Sequence, residues 1–233
     1  MKNKITVIGG GLAGCEAAYQ IAQRGIDVEL LEMKPSKKTA AHKSDNLAEL
    51  VCSNSLKASR VDSAAGLLKE EMRRLGSVCL AAADRSAVAA GGALAVDRDI
   101  FSKLITEKIK SHPNITVTER LVTEIPQSGV TVIATGPLTD DALAEKLAGL
   151  CEGGNLSFYD AAAPIVTAES VDMSKAFFAS RYDKGGDDYI NCPMNKEEYT
   201  AFYHELINAE SAPLHGFDKA PNVYEGCMPI EVL

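Results

Sequence analysis

The chain has 233 residues, 46% of them hydrophobic, and a formal net charge of −8. That is apolar material for one substantial domain or two small ones, and the acidic balance gives no whole-molecule field that draws in nucleic acid or an anionic membrane. No apolar run is long enough to span a bilayer, and glycines interrupt the start "MKNKITVIGGG" before a signal-peptide core can form, so the sequence predicts a cytoplasmic protein with no membrane partner.

Ile5 to Ile8 reads as a short strand, and Gly9, Gly11 and Gly14 then form G-x-G-x-x-G. Ala13, Ala17, Ala18, Ile21 and Ala22 make a small-residue helix face, Gly25 stops that helix, and Val28 to Leu31 is a second strand closed by Glu32. Each part has a reason. Gly9 permits a tight turn, Gly11 lets the backbone approach a pyrophosphate, and Gly14 lets helix and strand pack closely. The helix N-terminus offers free N–H groups and the positive end of its dipole. Glu32 lies about twenty residues beyond the motif, where a carboxylate accepts ribose hydroxyls and opposes a 2′-phosphate. Strand, motif, helix, strand and acid in this order predict an α/β, Rossmann-like domain that binds a dinucleotide. NADP is disfavoured in this site, and FAD and NAD both remain. Two features favour FAD. A long polar loop, "MKPSKKTAAHKSDN", follows Glu32 in place of another βα unit, and "VTVIATGP" (130–137) is a strand ending in Ala134, Thr135 and Gly136. That ending resembles the second signature of FAD-binding flavoproteins.

Further along, Asp62 to Leu75 predicts a helix capped by Asp62 or Ser63, with Leu67, Leu68, Met72 and Leu75 on one face and Gly76 as its stop. "DRDIFSKLITEKIKSHP" predicts another, with Phe101, Leu104, Ile105 and Ile109 inward and Pro113 at its end. Ile115 to Ile125 reads as one or two strands, and Asp140 to Leu150 as a short helix. From about Ser157 aromatics, β-formers and a Gly-Gly turn predict a small β-rich domain, before a helix over Lys196 to Ala209.

Six cysteines are scattered with neither CxxC nor zinc-ligand spacing, so no metal site is expected. Cys15, Cys79, Cys151 and Cys192 read as structural. Cys52 differs. From Met33 to Arg60, Lys34, Lys37, Lys38, Lys43, Lys57 and Arg60 face only Asp45 and Glu49, a local +4. Such surroundings lower a thiol's pKa and attract phosphate; a solvated loop with an incidental cysteine is the alternative. Cys227 follows Gly226 and precedes Met228 and Pro229, a loop-to-helix junction of the kind that stabilises a thiolate.

Taken together, "VIGGGLAGCEAA", "LLEMKP", "AELVCSNSL", "GLLKEEMRRLGS", "AGGALAVDRDIF", "ATGPLT", "FYDAAAPIV", "YINCPMNKEEY" and "EGCMPIE" resemble the bacterial folate- and FAD-dependent tRNA uracil-5 methyltransferases, from the first residue to the last. The resemblance implies formation of 5-methyluridine in the T-loop of tRNA, with methylenetetrahydrofolate as carbon donor, reduced FAD as carrier and reductant, and NAD(P)H to re-reduce it. It implies that Gly9, Gly10, Gly11, Leu12, Ala13 and Gly14 carry the FAD pyrophosphate, that Glu32, Lys34, Thr135 and Gly136 also hold the cofactor, and that Cys52 and Cys227 are the catalytic pair. Cys227 is expected to attack uracil C6, and Cys52 to work beside the flavin. His42 and Asp97 are candidates for proton transfer, with helix capping the stronger expectation for Asp97. The alternatives are the flavoprotein that modifies the tRNA wobble uridine, another FAD-dependent oxidoreductase, or an inactive truncated chain of the methyltransferase. The expected domains are 1–155, the first part of the FAD-binding domain; 156–221, an inserted β-rich α+β substrate domain; and 222–233, the start of a return to the FAD domain. The stop at "CMPIEVL" leads to the expectation of an incomplete C-terminus and weak flavin binding.

Overall fold

Strand β1 (Ile5–Ile8), helix α1 (Leu12–Gln23) and strand β2 (Val28–Glu32) form the βαβ start that the glycine motif requires. A long crossover follows, with β3 (Ser55–Ala58), α2 (Ala64–Arg74), α3 (Val78–Arg85), β4 (Ala87–Val88), β5 (Ala93–Val96) and α4 (Arg98–Lys110). The chain then returns through β6 (Ile115–Glu119), β7 (Val130–Ile133) and α5 (Asp141–Ala148). The computed structural model describes residues 4–39, 41–150, 166–180 and 186–210. The chain divides into two compact units, Met1–Leu156 and Ser157–Leu233.

In the first unit β6, β2, β1 and β7 lie in that order, all parallel. The third parallel strand lies outside β2 and the fourth on the far side of β1, so the topological switch point falls between β1 and β7. Both faces of the sheet are covered, so apolar residues of the central strands are buried on each side, with Thr6 and Glu29 the polar residues within β1 and the body of β2. Val7 and Leu30, paired in register, face the larger core with Cys15, Ala18 and Ala22 of α1 and Phe101, Ile105 and Ile109 of α4. Ile8 and Leu31, the next pair, face the other side with Leu143 of α5. The buried face of α1 is Gly14, Cys15, Ala18 and Ala22 rather than the expected set, and Ala13 is exposed. A second, antiparallel sheet in the order β3-β5-β4 sits within the crossover.

Ser63 caps α2 by accepting from Gly66 N–H, as expected, but the predicted apolar face is not the buried one. Leu67, Leu68 and Leu75 are exposed, Met72 alone of the expected face packs against the core, and the residues α2 buries are Gly66 and Lys69. A Cβ on Gly66 would stand 1.8 Å from the Arg60 carbonyl oxygen, and the Lys69 ammonium donates to the carbonyls of Ala58 and Ala65 at 3.0 Å each. Backbone approach and a long amine tail dock this helix, not leucines. The α3 helix was not expected: Val78, Cys79, Leu80, Ala82 and Ala83 are all buried, so no polar stripe marks its period. The strand expected over 115–125 ends at Glu119.

In the second unit β8 (Phe177–Ala179) and β9 (Tyr189–Asn191) form an antiparallel hairpin, and α6 (Lys196–Ile207) begins with a capping box between Asn195 and Glu198. No described helix is long and apolar enough to cross a membrane. Cys151, Cys227, the "FYDAAAPIV" stretch and the expected third segment, 222–233, lie outside the described residues.

Candidate functional site

The turn between β1 and α1 is packed tightly on three sides and open on the fourth. Gly9 has φ of 98°, and a Cβ there would stand 2.8 Å from the Ala134 carbonyl oxygen. At Gly10 a Cβ would meet Leu47 at 2.6 Å and the Glu32 carboxylate at 2.7 Å, and at Gly14 it would lie 1.8 Å from the Gly9 carbonyl oxygen. At Gly11 it would meet nothing within 4 Å. Gly11 is also the N-cap of α1, which no side chain caps. The N–H groups of Leu12, Ala13 and Gly14 therefore have no intrahelical acceptor, and the positive end of the helix dipole faces the open side. Thr135 and Gly136 follow β7, and the contact of Gly9 with Ala134 brings the two expected signature segments together at the switch point.

Glu32 ends β2 and is 8% exposed. One of its oxygens accepts from Gly10 N–H at 2.6 Å and the other from Lys34 N–H at 3.0 Å. Each oxygen keeps a second lone pair for a hydroxyl donor. Glu32 lines a cleft of about 430 Å³ whose other charged residues are Lys34, Asp45, Lys110 and Glu119 and whose apolar ones are Pro35, Leu47 and Val117. Lys34 itself is buried. Its ammonium donates to the Asn46 carbonyl at 2.6 Å and pairs with Glu49 at 3.1 Å, while Glu49 also accepts from the N–H groups of Lys43 and Ser44. Burial pushes the Glu49 carboxyl up, but these donors and the Lys34 charge outweigh it and hold it below the usual range.

The segment that carries Cys52 is tied at both ends. Ala48, at φ 52°, donates its N–H to the Gly10 carbonyl at 2.8 Å, so the loop hangs from the glycine turn. Beyond Cys52, Asn54 exchanges two hydrogen bonds with Val96 of β5: its carbonyl accepts at 3.0 Å and its side-chain amide donates at 3.1 Å. Between these ties the Cys52 side chain is exposed, and the Arg98 guanidinium donates to the Cys52 carbonyl at 3.2 Å. Sequence reasoning singled out none of Ala48, Asn54 and Arg98; only the adjacency of "VCSNSL" and "ALAVDR" in the fold exposes them.

The local +4 is a correction. Lys34–Glu49 and Lys38–Asp45 are pairs within the segment and already in that count, while Lys37 with Asp140 and Arg60 with Asp62 bring in two acids from outside it, so about half of the excess is neutralised. His42 bonds Thr39 at 2.8 Å; burial first, and then the Lys34 charge, push its pKa down. Asp97 caps α4, accepting from Asp99 and Ile100 N–H. Cys15 and Cys79 are buried, as expected of structural thiols. Cys15 donates to the Gly10 carbonyl, and burial above all pushes its pKa up to about 12; burial pushes Cys79 up as well. Cys192, expected to be structural, is exposed on the strand-to-helix connection of the second unit. Among the described residues no cluster of His, Cys, Asp and Glu is placed to hold a metal ion.

The family model described as "Glucose inhibited division protein A" matches residues 4–233. A Lactobacillus gasseri protein named methylenetetrahydrofolate--tRNA-(uracil-5-)-methyltransferase TrmFO is 57% identical over 233 residues, covering 100% of this chain and 53% of its own length. A Desulfitobacterium hafniense protein of the same name is 59% identical over 229 residues, 98% of this chain and 52% of its own. The chain thus spans about half the length of the curated relatives it matches. Among solved structures, Aquifex aeolicus GidA is 19% identical with a TM-score of 0.47, covering 57% of this chain and 25% of that one.

Proposed function

The chain belongs to the family of glucose inhibited division protein A, and from that premise we propose that it carries the dinucleotide-binding part of a cytoplasmic, folate- and FAD-dependent tRNA uracil-5 methyltransferase. The product is 5-methyluridine in the tRNA T-loop, and methylenetetrahydrofolate is the carbon donor. The names of the relatives support the substrate class. The observation that carries the reading is the hydrogen bond from Ala48 N–H to the Gly10 carbonyl, which hangs the Cys52 loop from the nucleotide-binding turn.

The residues present fit FAD. Gly11 leaves the open face that a pyrophosphate needs, the start of α1 supplies uncommitted N–H groups, and Glu32 turns its remaining lone pairs to a cleft wide enough for an adenosine. When bound, FAD supplies the carrier of the one-carbon unit and the hydride that completes the methyl group, with NAD(P)H as the source of electrons. The protein's own work is on the uracil. C5 of uracil is a poor nucleophile. The Cys227 thiolate adds to C6, the ring becomes an enolate, and C5 attacks the methylene carbon. A base takes the C5 proton as the one-carbon unit is released from its carrier, hydride completes the methyl group, and expulsion of the thiolate restores the ring. Cys52 stands by on the flavin side. The target base has to leave its stack to be reached.

The test uses full-length protein and 5-fluorouracil-containing tRNA. Wild type is expected to form a covalent adduct and Cys227→Ser none. An adduct that persists in Cys227→Ser moves the nucleophile to another residue. No T-loop methylation by the flavin-loaded full-length protein refutes the reading as a whole.

A further inference from the structure

Between its two ties the Cys52 loop has one more hold, and that hold comes from a different element. Arg98 is the first residue of α4, directly after the Asp97 cap and two residues after Val96. The cap fixes the start of the helix, because the Asp97 carboxylate accepts from Asp99 and Ile100 N–H at 3.0 and 2.9 Å. Asp97 N–H in turn donates to the Ser86 carbonyl at 2.8 Å. The base of Arg98 is therefore set by strand, cap and helix together, while its tip reaches the Cys52 carbonyl at 3.2 Å. Asn54 fixes the far side of the loop by its two bonds to Val96. A charged donor on a carbonyl is a stronger restraint than a neutral one, and this one acts on the residue that carries the thiol.

We propose that Arg98 is a positioning residue for Cys52: its guanidinium holds the Cys52 carbonyl and so fixes the direction of the thiol relative to the Gly9–Gly14 turn. The inference rests on the reading of Cys52 as a working thiol, but it is tested first without any turnover. In the full-length, flavin-loaded protein, amide hydrogen exchange is followed over 51–54 together with the rate of Cys52 alkylation by iodoacetamide. In Arg98→Ala both are expected to rise at least about fivefold, with flavin content and melting temperature unchanged, and Arg98→Lys restores most of the protection. Unchanged exchange and alkylation in Arg98→Ala overturn the proposal whatever the enzyme's activity. In the methylation assay Arg98→Ala lowers kcat about tenfold or more and leaves KM for tRNA within about twofold, the pattern of a lost alignment. A raised, salt-dependent KM with unchanged kcat makes Arg98 a phosphate contact instead and also overturns it. If Cys52→Ser keeps full activity while Arg98→Ala still loosens the loop, the catalytic reading of Cys52 has failed and the positioning has not.

Discussion

Two glycines three residues apart predict opposite outcomes for the same substitution. At Gly14 a methyl group would lie 1.8 Å from the Gly9 carbonyl oxygen, which is backbone and cannot rotate away. Gly14→Ala therefore has to push α1 off the turn, and urea unfolding is expected to show a loss of about 3 kcal/mol or more. At Gly11 the backbone is extended at φ −73° and ψ −169°, which alanine adopts freely, and the added methyl meets nothing. Gly11→Ala is expected to keep stability within about 1 kcal/mol, the cost of alanine at an N-cap. Its FAD affinity falls at least about tenfold, because the methyl fills the face left for the pyrophosphate. Equal losses of stability in the two variants would refute this division of roles. Glu16 supplies a pH test. Burial pushes its carboxyl up, yet hydrogen bonds from Ser77, Gln20 and Cys79 together hold it below the ordinary value of 4.5. A depressed folded pKa stabilises above the unfolded value and fades as pH falls through the folded one. The stability gap between wild type and Glu16→Gln is thus expected to be wide at about pH 7 and to narrow below about pH 4.5, measured as urea midpoints.

At the scale of elements, the loop from Met33 to Leu50 is held by the Lys34–Glu49 pair, whose side chains are 3% and 12% exposed. Removing one partner strands the other, so Lys34→Met is expected to cost about 3 kcal/mol in urea unfolding. Adding Glu49→Gln removes the stranded charge and keeps an acceptor for Lys43 and Ser44 N–H, so the double variant recovers most of that loss; no recovery would mean that the pair is not what holds the loop. The same loop shows where sequence legibility ends. β1, the glycine turn, α1, β2 and Glu32 could be read because each is dictated by local period or backbone need. So could α4, whose Phe101, Ile105 and Ile109 recur at helical spacing and are all buried. Whether Lys37 is free or paired to Asp140 depends on two segments that meet only in the fold, so the cationic loop could not be corrected from sequence. α3 is short and its first six residues are all apolar, and α2 docks through Gly66 and Lys69, which a hydrophobic-face rule assigns to solvent. At the site, the turn and its acid were legible. The bond of Ala48 to Gly10 and the reach of Arg98 to Cys52 were not, since both end on a main-chain carbonyl, which carries no residue-type signature.

For the molecule as a whole, the described groups that suit a cofactor all address one half of FAD. The open face at Gly11 and the start of α1 suit a pyrophosphate, and Glu32 with its cleft suits a ribose and an adenine. If these groups carry the binding, ADP should compete with FAD for this chain with a Kd within about tenfold of FAD's own, and FMN should compete poorly. Titration calorimetry with each ligand decides it, and strong competition by FMN would place the affinity on groups other than these. A finer contrast isolates Glu32. Its carboxylate is 8% exposed and already fixed by two N–H groups, so it cannot swing away from an incoming charge. Adding a 2′-phosphate to ADP brings like charge against a partly desolvated carboxylate, where screening by water and salt is weak. The 2′-phosphorylated ligand is expected to bind at least about tenfold more weakly than ADP, and Glu32→Gln to close most of that gap while also weakening ADP through the lost ribose acceptor. A variant that closes the gap with no loss of ADP affinity would mean that Glu32 repels the phosphate without holding the ribose.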